Sequence, residues 1–509
     1  MKGVIINQDT DGIFWGFRDK LPTLEEIKDF PKEFAGTHVT DYFINIASET
    51  VTYPSEKHTD ILEKYYRKEE NGMPVDYSED MNGKAAKYVF EELGVDHNQL
   101  LIEGFREVGI NPWISFRMND FHDKNLPTSF GFSDFYYEHP EYRRVKFHPE
   151  FMVNCGDNSF DYYYDEVREF YLGIIDEGLD RYDAYGIELD FQREIEVFGF
   201  GRHYVGIEIM NDFMRKVDAL THKYEEKYGH QIKVAVRVAP DIQTNFDFGH
   251  DVMQWVREGI VDMVIPTGRY ESSDMEMPIK LWSNLLKPYN VELTAGAEQG
   301  IRPHYAHRNV WRNIETYAAF CANAYEQGAD KVYFYNYFRR RADQRFDREA
   351  PFVTDPNVNC ESLPVYWTVI NTMGDPEAVQ KLNRRHIITC KDRFPFWNHC
   401  GGDGRQLPVE TDRTISFKIS VGEIPEDADV IVHIGIVDGD KLKEAPRLFI
   451  NSEPAEYLGC EYNERYSNES VLLAYRVPKD VRGLKVICPF VITKEPIDIR
   501  YVDAHVIVN

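Results

Sequence analysis

The chain has 509 residues, 43% of them hydrophobic, with 86 acidic against 58 basic side chains and a formal charge of −28. That is enough apolar material for a large core plus a second domain. The acidic surface repels phosphate backbones and anionic membranes, so no nucleic acid and no membrane is expected as a partner. No apolar run reaches the 18 residues of a membrane span, and the seven scattered cysteines form no CxxC pair, which disfavours a disulfide framework or a structural zinc site.

In chain order, the first apolar run is Val4–Asn7. It is too short for a signal peptide and no small-residue cleavage site follows, so it reads as a strand and the chain as cytoplasmic. Further strands are expected at Asp41–Ile46, Trp113–Arg117, Gly186–Asp190, Lys233–Val238, Met263–Thr267, Glu292–Ala295 and Lys331–Tyr335. Amphipathic helices are clearest at Tyr204–Tyr228, His250–Glu258, Arg308–Gln327 and Leu363–Met373, with Gly229 and Gly328 placed as C-terminal caps. Eight strands with helices between them predict an α/β fold, a (β/α)8 TIM barrel, over residues 1–380. Long segments after strands 2 and 3, roughly 48–100 and 120–165, suit pocket walls or a lid. From 381 to 509 the pattern is all β: Ile415–Val421, Asp429–Ile436, Arg447–Ile450, Ser470–Val477, Leu484–Val491 and Tyr501–Val508. That predicts a smaller β-sandwich accessory domain. No GxGxxG or Walker motif follows any strand, so nucleotide binding has no support.

In such a barrel the functional mouth forms at the C-terminal strand ends. Strand 1 ends in Gln8, Asp9 and Asp11, and strand 2 offers Asn45. Strand 3 ends in Arg117, Asn119 and Asp120, followed by His122 and Asp123. Strand 4 carries Glu188 and Asp190, with Arg193 and Glu194 beyond. Strand 5 ends in Arg237 and Asp241, strand 6 in Thr267 and Arg269, strand 7 in Glu298 and Gln299, and strand 8 in Tyr335 and Asn336. The opposite strand ends are poorer, with Lys233 and Glu292 the plainest charges. Glu188 and Asp190, two apart on a strand, share a face, and buried acids need pairing or a shifted pKa. Glycoside hydrolysis needs two carboxylates across the scissile bond, one protonated and one ionised. Glu188, Asp190 and Glu298 beside Arg117, Arg237 and Arg269 supply both environments.

On these residues the chain resembles the glycoside hydrolase barrels. Acids at the ends of strands 4 and 7 are the hallmark of clan A. The resemblance implies Asp190 or Glu188 as acid/base and Glu298 as nucleophile, although the usual Asn-Glu at the strand-4 end is absent. Tyr185–Gln192 also resembles the family 18 chitinase-like motif DGxDxDxE. There Glu188 and Asp190 match the inner acids, and Gln192 stands where the terminal Glu acts as acid. The wording Gly-Ile-Glu-Leu-Asp-Phe is most similar to glycosyl hydrolase-like bacterial barrel proteins, and the resemblance covers roughly residues 1–375.

The expectation is a glycosidase acting on a small oligosaccharide or glycoside. Asp190 and Glu298 carry the chemistry and Glu188 tunes Asp190. Asp9, Asn45, Arg117, Asn119, Asp120, His122, Arg193, Arg237, Asp241, Arg269, Tyr335 and Asn336 bind the carbohydrate substrate. No cofactor and no metal is expected, and a homo-oligomer is compatible with the composition. Two other classes stay open: a carbohydrate-binding barrel without catalysis, and a lyase or isomerase using His122 and the acids. Arg117 and Arg237 equally suit a lumen ion-pair layer, and Asp120 and Asp241 suit helix N-caps. The small neighbours of Glu298, Ala297 and Gly300, suggest open space above it. Trp113 reads as core, and Trp15 and Trp397 as stacking candidates.

Overall fold

Short apolar runs alternating with amphipathic helices leave each strand's row of backbone groups to be paired by its neighbours, and closure removes the free edge. In the computed structural model the eight strands close into a parallel barrel. They are β1 (Val4–Asp9), β2 (Val39–Ala47), β3 (Asn111–Arg117), β4 (Gly186–Asp190), β5 (Lys233–Val238), β6 (Met263–Pro266), β7 (Glu292–Ala297) and β8 (Lys331–Phe334). They pair in sequence order, and β8 returns to β1. The structure describes residues 2–9, 21–120, 124, 126–144, 158–192, 195–199, 201–268, 272–304, 310–337, 363–389, 406–481, 483 and 485–508.

A helix follows each strand: α1 (Leu24–Asp29), α2 (His97–Glu107), α3 (Asp165–Arg181), α4 (His203–Tyr228), α5 (Val252–Arg257), α6 (Ile279–Leu286), α7 (Ile314–Gln327) and α8 (Leu363–Thr372). All eight predicted strands and the four predicted helices are present, with ends shifted by a few residues. The start of α7 moves furthest, from Arg308 to Ile314, where Asn313 closes a capping box with Thr316. The crossover after β3 is the 17-residue α3, whose buried Val167, Tyr171, Ile174, Ile175 and Leu179 recur at helical spacing. Gly229 and Gly328 end α4 and α7 in the left-handed conformation expected of C-terminal glycine caps. Among the described residues, no helix is long and apolar enough to cross a membrane.

Two cores result. One lies between strands and helices, and the second fills the lumen with Ile5, Phe43, Trp113, Ala235, Met263, Ile265, Tyr333 and Tyr335. Trp113 is fully buried, as expected, and it dictates Gly186. A Cβ there would sit 2.5 Å from the Trp113 ring and 2.7 Å from the Lys233 carbonyl.

The C-terminal part is antiparallel. One sheet runs in the order β9 (Arg384–Ile387), β14 (Ile497–Ile507), β10 (Asp429–Ile436), β13 (Val471–Arg476), β12 (Glu456–Glu461), and Val409–Thr411 also pairs with β14. A second sheet contains Thr414–Ser416, Pro489–Ile492, β11 (Arg447–Ile450) and Glu453–Pro454. Its core gathers Val430, Val432, Ile434, Leu448, Val491, Ile499 and Val502. The expected β-sandwich class is the observed one, with β9 and β12 as strands absent from the sequence reading.

Candidate active site

The lumen becomes polar towards the C-terminal strand ends, and its layers follow from register. Ser115, Glu188 and Ala235 are neighbours across β3, β4 and β5, and one step higher stand Arg117, Asp190 and Arg237. Between two small residues, Glu188 has room for a carboxylate inside the barrel. It accepts hydrogen bonds from Tyr333 Oη at 2.7 Å and Asn7 Nδ2 at 3.1 Å. Its pKa is pushed up to about 7, first by burial and then by the charge of Asp190.

The next layer is built on Arg237. Its Nη1 donates to both oxygens of Asp190, at 3.0 and 2.9 Å, and its Nη2 donates to Glu298. The ring of Tyr335 covers the guanidinium at 3.6 Å. Arg237 and Glu298 are 0% exposed and Asp190 5%. Burial opposes the arginine's charge, but Asp190 and Glu298 outweigh it and hold its pKa above the ordinary value. Burial lifts the Asp190 pKa, and the charges of Arg237 and Arg117 only partly pull it back. The Glu298 backbone is fixed as well. Its N–H donates to Ser273 Oγ at 2.9 Å, and the same hydroxyl donates to the Glu298 carbonyl at 3.1 Å. Two residues before it, Gly296 lets β6 and β7 close up, because a Cβ would fall 2.0 Å from Thr267 Oγ1.

The mouth layer is the most open of the three. Arg117 Nη2 lies 2.8 Å from both Asp9 oxygens and donates to Tyr335 Oη at 2.8 Å, while Nη1 donates to Asp120 at 2.9 Å. These three charged side chains keep 13–15% exposure. Asn336 follows in a left-handed turn at φ +44°, with Oδ1 buried and no hydrogen-bond partner among the described residues. The Nε of Arg237 is likewise buried without one.

The structure thus gathers Glu188, Asp190, Glu298, Arg237, Arg117, Asp9, Asp120 and Tyr335 of the predicted set. Others point elsewhere. Asn119 bonds the backbone of Phe160 and Glu196, and Asn45 donates to the Ala47 and Ser115 carbonyls. Asp241 caps the short helix Ile242–Asp247, its carboxylate taken by Thr244 N–H and Oγ1, as the N-cap alternative anticipates. His122, Arg193 and Arg269, and the stacking candidates Trp15 and Trp397, lie outside the described residues.

Two expectations need correction. The space next to Glu298 is taken up by Arg237, which reaches across the lumen to it, with Tyr335 over that guanidinium. The N-terminal barrel end also carries more charge than expected: Asp41, buried, joins Lys331 at 2.7 Å, and Lys331 joins Glu292 at 3.0 Å. Sequence reasoning missed Tyr333 and Asn7, whose period-two spacing from Tyr335 and Asp9 carried the signal. It missed Ser273, which lies in a loop without periodicity. Gln192, at the family 18 acid position, donates to the Thr267 and Gly268 carbonyls at 2.9 Å. Among the described residues, no group of three or more His, Cys, Asp or Glu side chains could hold a metal ion.

No family model and no curated protein matches the chain. Similar solved structures are glycoside hydrolases of several families and a glucanotransferase. A cycloisomaltooligosaccharide glucanotransferase from Paenibacillus sp. is 9% identical, with 98% of this chain and 57% of that one covered and a TM-score of 0.35. The catalytic domain of GH30 xylanase C from Talaromyces cellulolyticus is 8% identical, with 96% of each covered and a TM-score of 0.35. The PgaB (BpsB) glycoside hydrolase domain from Bordetella bronchiseptica is 9% identical, with 65% of this chain and 93% of that one covered and a TM-score of 0.37. The chain spans 57% of the glucanotransferase and 39% of a GH138 enzyme targeting pectin rhamnogalacturonan II. Such identities carry no residue roles across.

Proposed function

We propose that the chain is a glycoside hydrolase that cleaves a small oligosaccharide or glycoside at the C-terminal mouth of the barrel. The observation that carries this reading is the meeting of Asp190 from β4 and Glu298, just past β7, on one guanidinium. Strands three positions apart round the barrel bring two acids together on a shared arginine, and two-carboxylate mechanisms need such a pair. Asp190, raised by burial, donates the proton to the leaving oxygen. Glu298, paired with Arg237, attacks the anomeric carbon or stabilises it. Glu188 shares the proton load from below. The carboxylates of Glu188, Asp190 and Glu298 lie in adjoining layers of one lumen, where negative charge can stabilise an oxocarbenium-like transition state. Asn336 Oδ1 is an acceptor for a sugar hydroxyl.

The test is a screen of chromogenic glycosides with the wild type and two variants. Asp190→Asn and Glu298→Gln are each expected to lower turnover by at least ~10²-fold without unfolding the chain. Near-normal turnover in either removes that residue from the mechanism.

One observation favours a second reading, saccharide binding without hydrolysis: both acids are buried in ion pairs, and Gln192 at the family 18 acid position is tied to backbone. Calorimetric saccharide binding with no turnover on any linkage, in the wild type, would select it.

A further inference from the structure

The loop between β6 and α6 touches both the candidate nucleophile and the C-terminal sheets. Its inner side holds β7's continuation. Ser273 Oγ grips the Glu298 peptide from both ends, Ser273 N–H donates to Gly300 O at 2.8 Å, and Ser272 Oγ accepts from Arg302 N–H at 3.0 Å. Its outer side is held by residues that follow the barrel. Thr389 Oγ1 donates to the Ser273 carbonyl at 3.1 Å, with the Ile387 carbonyl 3.3 Å away as its other acceptor. Ser420 binds the Glu276 carboxylate through its N–H at 2.6 Å and its Oγ at 2.9 Å, and Lys418 adds an ion pair at 3.0 Å. Asn323 of α7 bridges the Met275 and Ser420 carbonyls. The sheets cannot swing away from this loop freely, because Arg385 of β9 and His505 of β14 both reach Glu315 of α7.

We infer that the C-terminal sheets position Glu298. Ser273 is the positioning residue, and Thr389 and Ser420 are the anchors that hold its loop against the barrel. The inference rests on the proposed role of Glu298 and adds that the accessory sheets form part of the active-site frame. The physical reason is that a loop hydroxyl carries no stiffness of its own. Ser273 can fix the Glu298 peptide only if its own backbone is fixed, and Thr389 makes that contact from outside.

Hydrogen–deuterium exchange of the full chain tests this without any substrate. In Ser273→Ala and Thr389→Val, amides of residues 297–302 are expected to exchange about tenfold faster, with β4 and β5 unchanged and Ser273→Thr close to wild type. Unchanged exchange at 297–302, or equal acceleration across the barrel, overturns the inference. Ser420→Ala, which removes one exposed-side contact, serves if Ser273→Ala fails to fold, and is expected to accelerate the same amides. On a glycoside that is turned over, Thr389→Val is expected to lower kcat about tenfold with KM unchanged, as misplacement of a reacting group does. If exchange responds but Glu298→Gln keeps full turnover, the glycosidase reading fails and the mechanical coupling stands.

Discussion

The molecule contains two buried clusters in which an arginine meets carboxylates and a tyrosine, and they behave oppositely. In the C-terminal sheets, Asp503 accepts from Arg385 at 2.6 Å, from Tyr501 at 2.6 Å, and lies 2.7 Å from His433 Nδ1. Burial pushes its carboxyl up, but the charges of His433 and Arg385 outweigh that and hold it well below the usual carboxylate range. In the barrel, Arg237 faces Asp190 and Glu298 across the lumen, and Asp190 and Glu188 are both raised. The sheet cluster is saturated with donors and reads as a clamp between β9, β10, β14 and α7. In the lumen cluster burial outweighs the pull of Arg237 and Arg117 on Asp190, the condition in which a carboxyl keeps a proton to give away. Whether burial or pairing wins at the carboxyl separates the two clusters.

The largest effect that would sharpen this contrast is removal of the lumen cation. Arg237→Met leaves Asp190 and Glu298 buried together without their partner, and a loss of about 3–5 kcal/mol is expected in denaturant unfolding at pH 7. A loss under ~1 kcal/mol would mean that Arg237 is not the charge partner that holds the two acids in the lumen and would break the contrast.

Next is Glu188. A folded pKa of about 7, against 4.5 for the free side chain, means that the folded state holds the proton more tightly. Its contribution is therefore fully present below about pH 4.5 and is lost as pH rises through about 7, a span of about 3 kcal/mol. Glu188→Gln is expected to flatten that stretch of the stability–pH curve whatever its absolute offset. An unaltered slope between pH 4.5 and 7.5 would remove Glu188 as the proton holder.

The smallest is Asp503→Asn. Arg385 keeps Glu315, so the expected loss is about 2 kcal/mol at pH 7, the scale of hydrogen bonds to a charged group. The sign is opposite to that of Glu188. A depressed carboxyl contributes above its free value near 3.8 and loses that contribution as pH falls through the folded value. Asp503→Asn should flatten only the acid limb below about pH 4, read by thermal midpoints between pH 2 and 5. Flattening near neutrality would mean that the two clusters are not different in kind.

Much of the barrel was legible residue by residue. Gly186–Asp190 and Lys233–Val238 appear with the predicted ends because apolar alternation bounded by turns is a local signal. The side of Glu188 and Asp190 followed from the period of two. The pairings inside the site did not follow. Arg237 and Arg117 are both strand-end arginines on the same face, yet one closes the lumen between two acids and the other guards the mouth with Asp9 and Asp120. Asp120 and Asp241 look alike in sequence, yet the first pairs with Arg117 and the second caps a helix.

The amino-acid order by itself determined the strands and helices, the all-β character of the last third, and the crowding of acids at one end of the strands, because each depends on neighbours a few residues away. The tertiary structure alone decided which acids meet on Arg237, how deep Glu188 lies beneath Asp190, and that Thr389 holds Ser273 while Ser273 holds Glu298. Those outcomes depend on register and closure around the barrel and on how the sheets seat against α7. They bring together residues 25 to 116 positions apart, a separation at which no local pattern in the chain carries information.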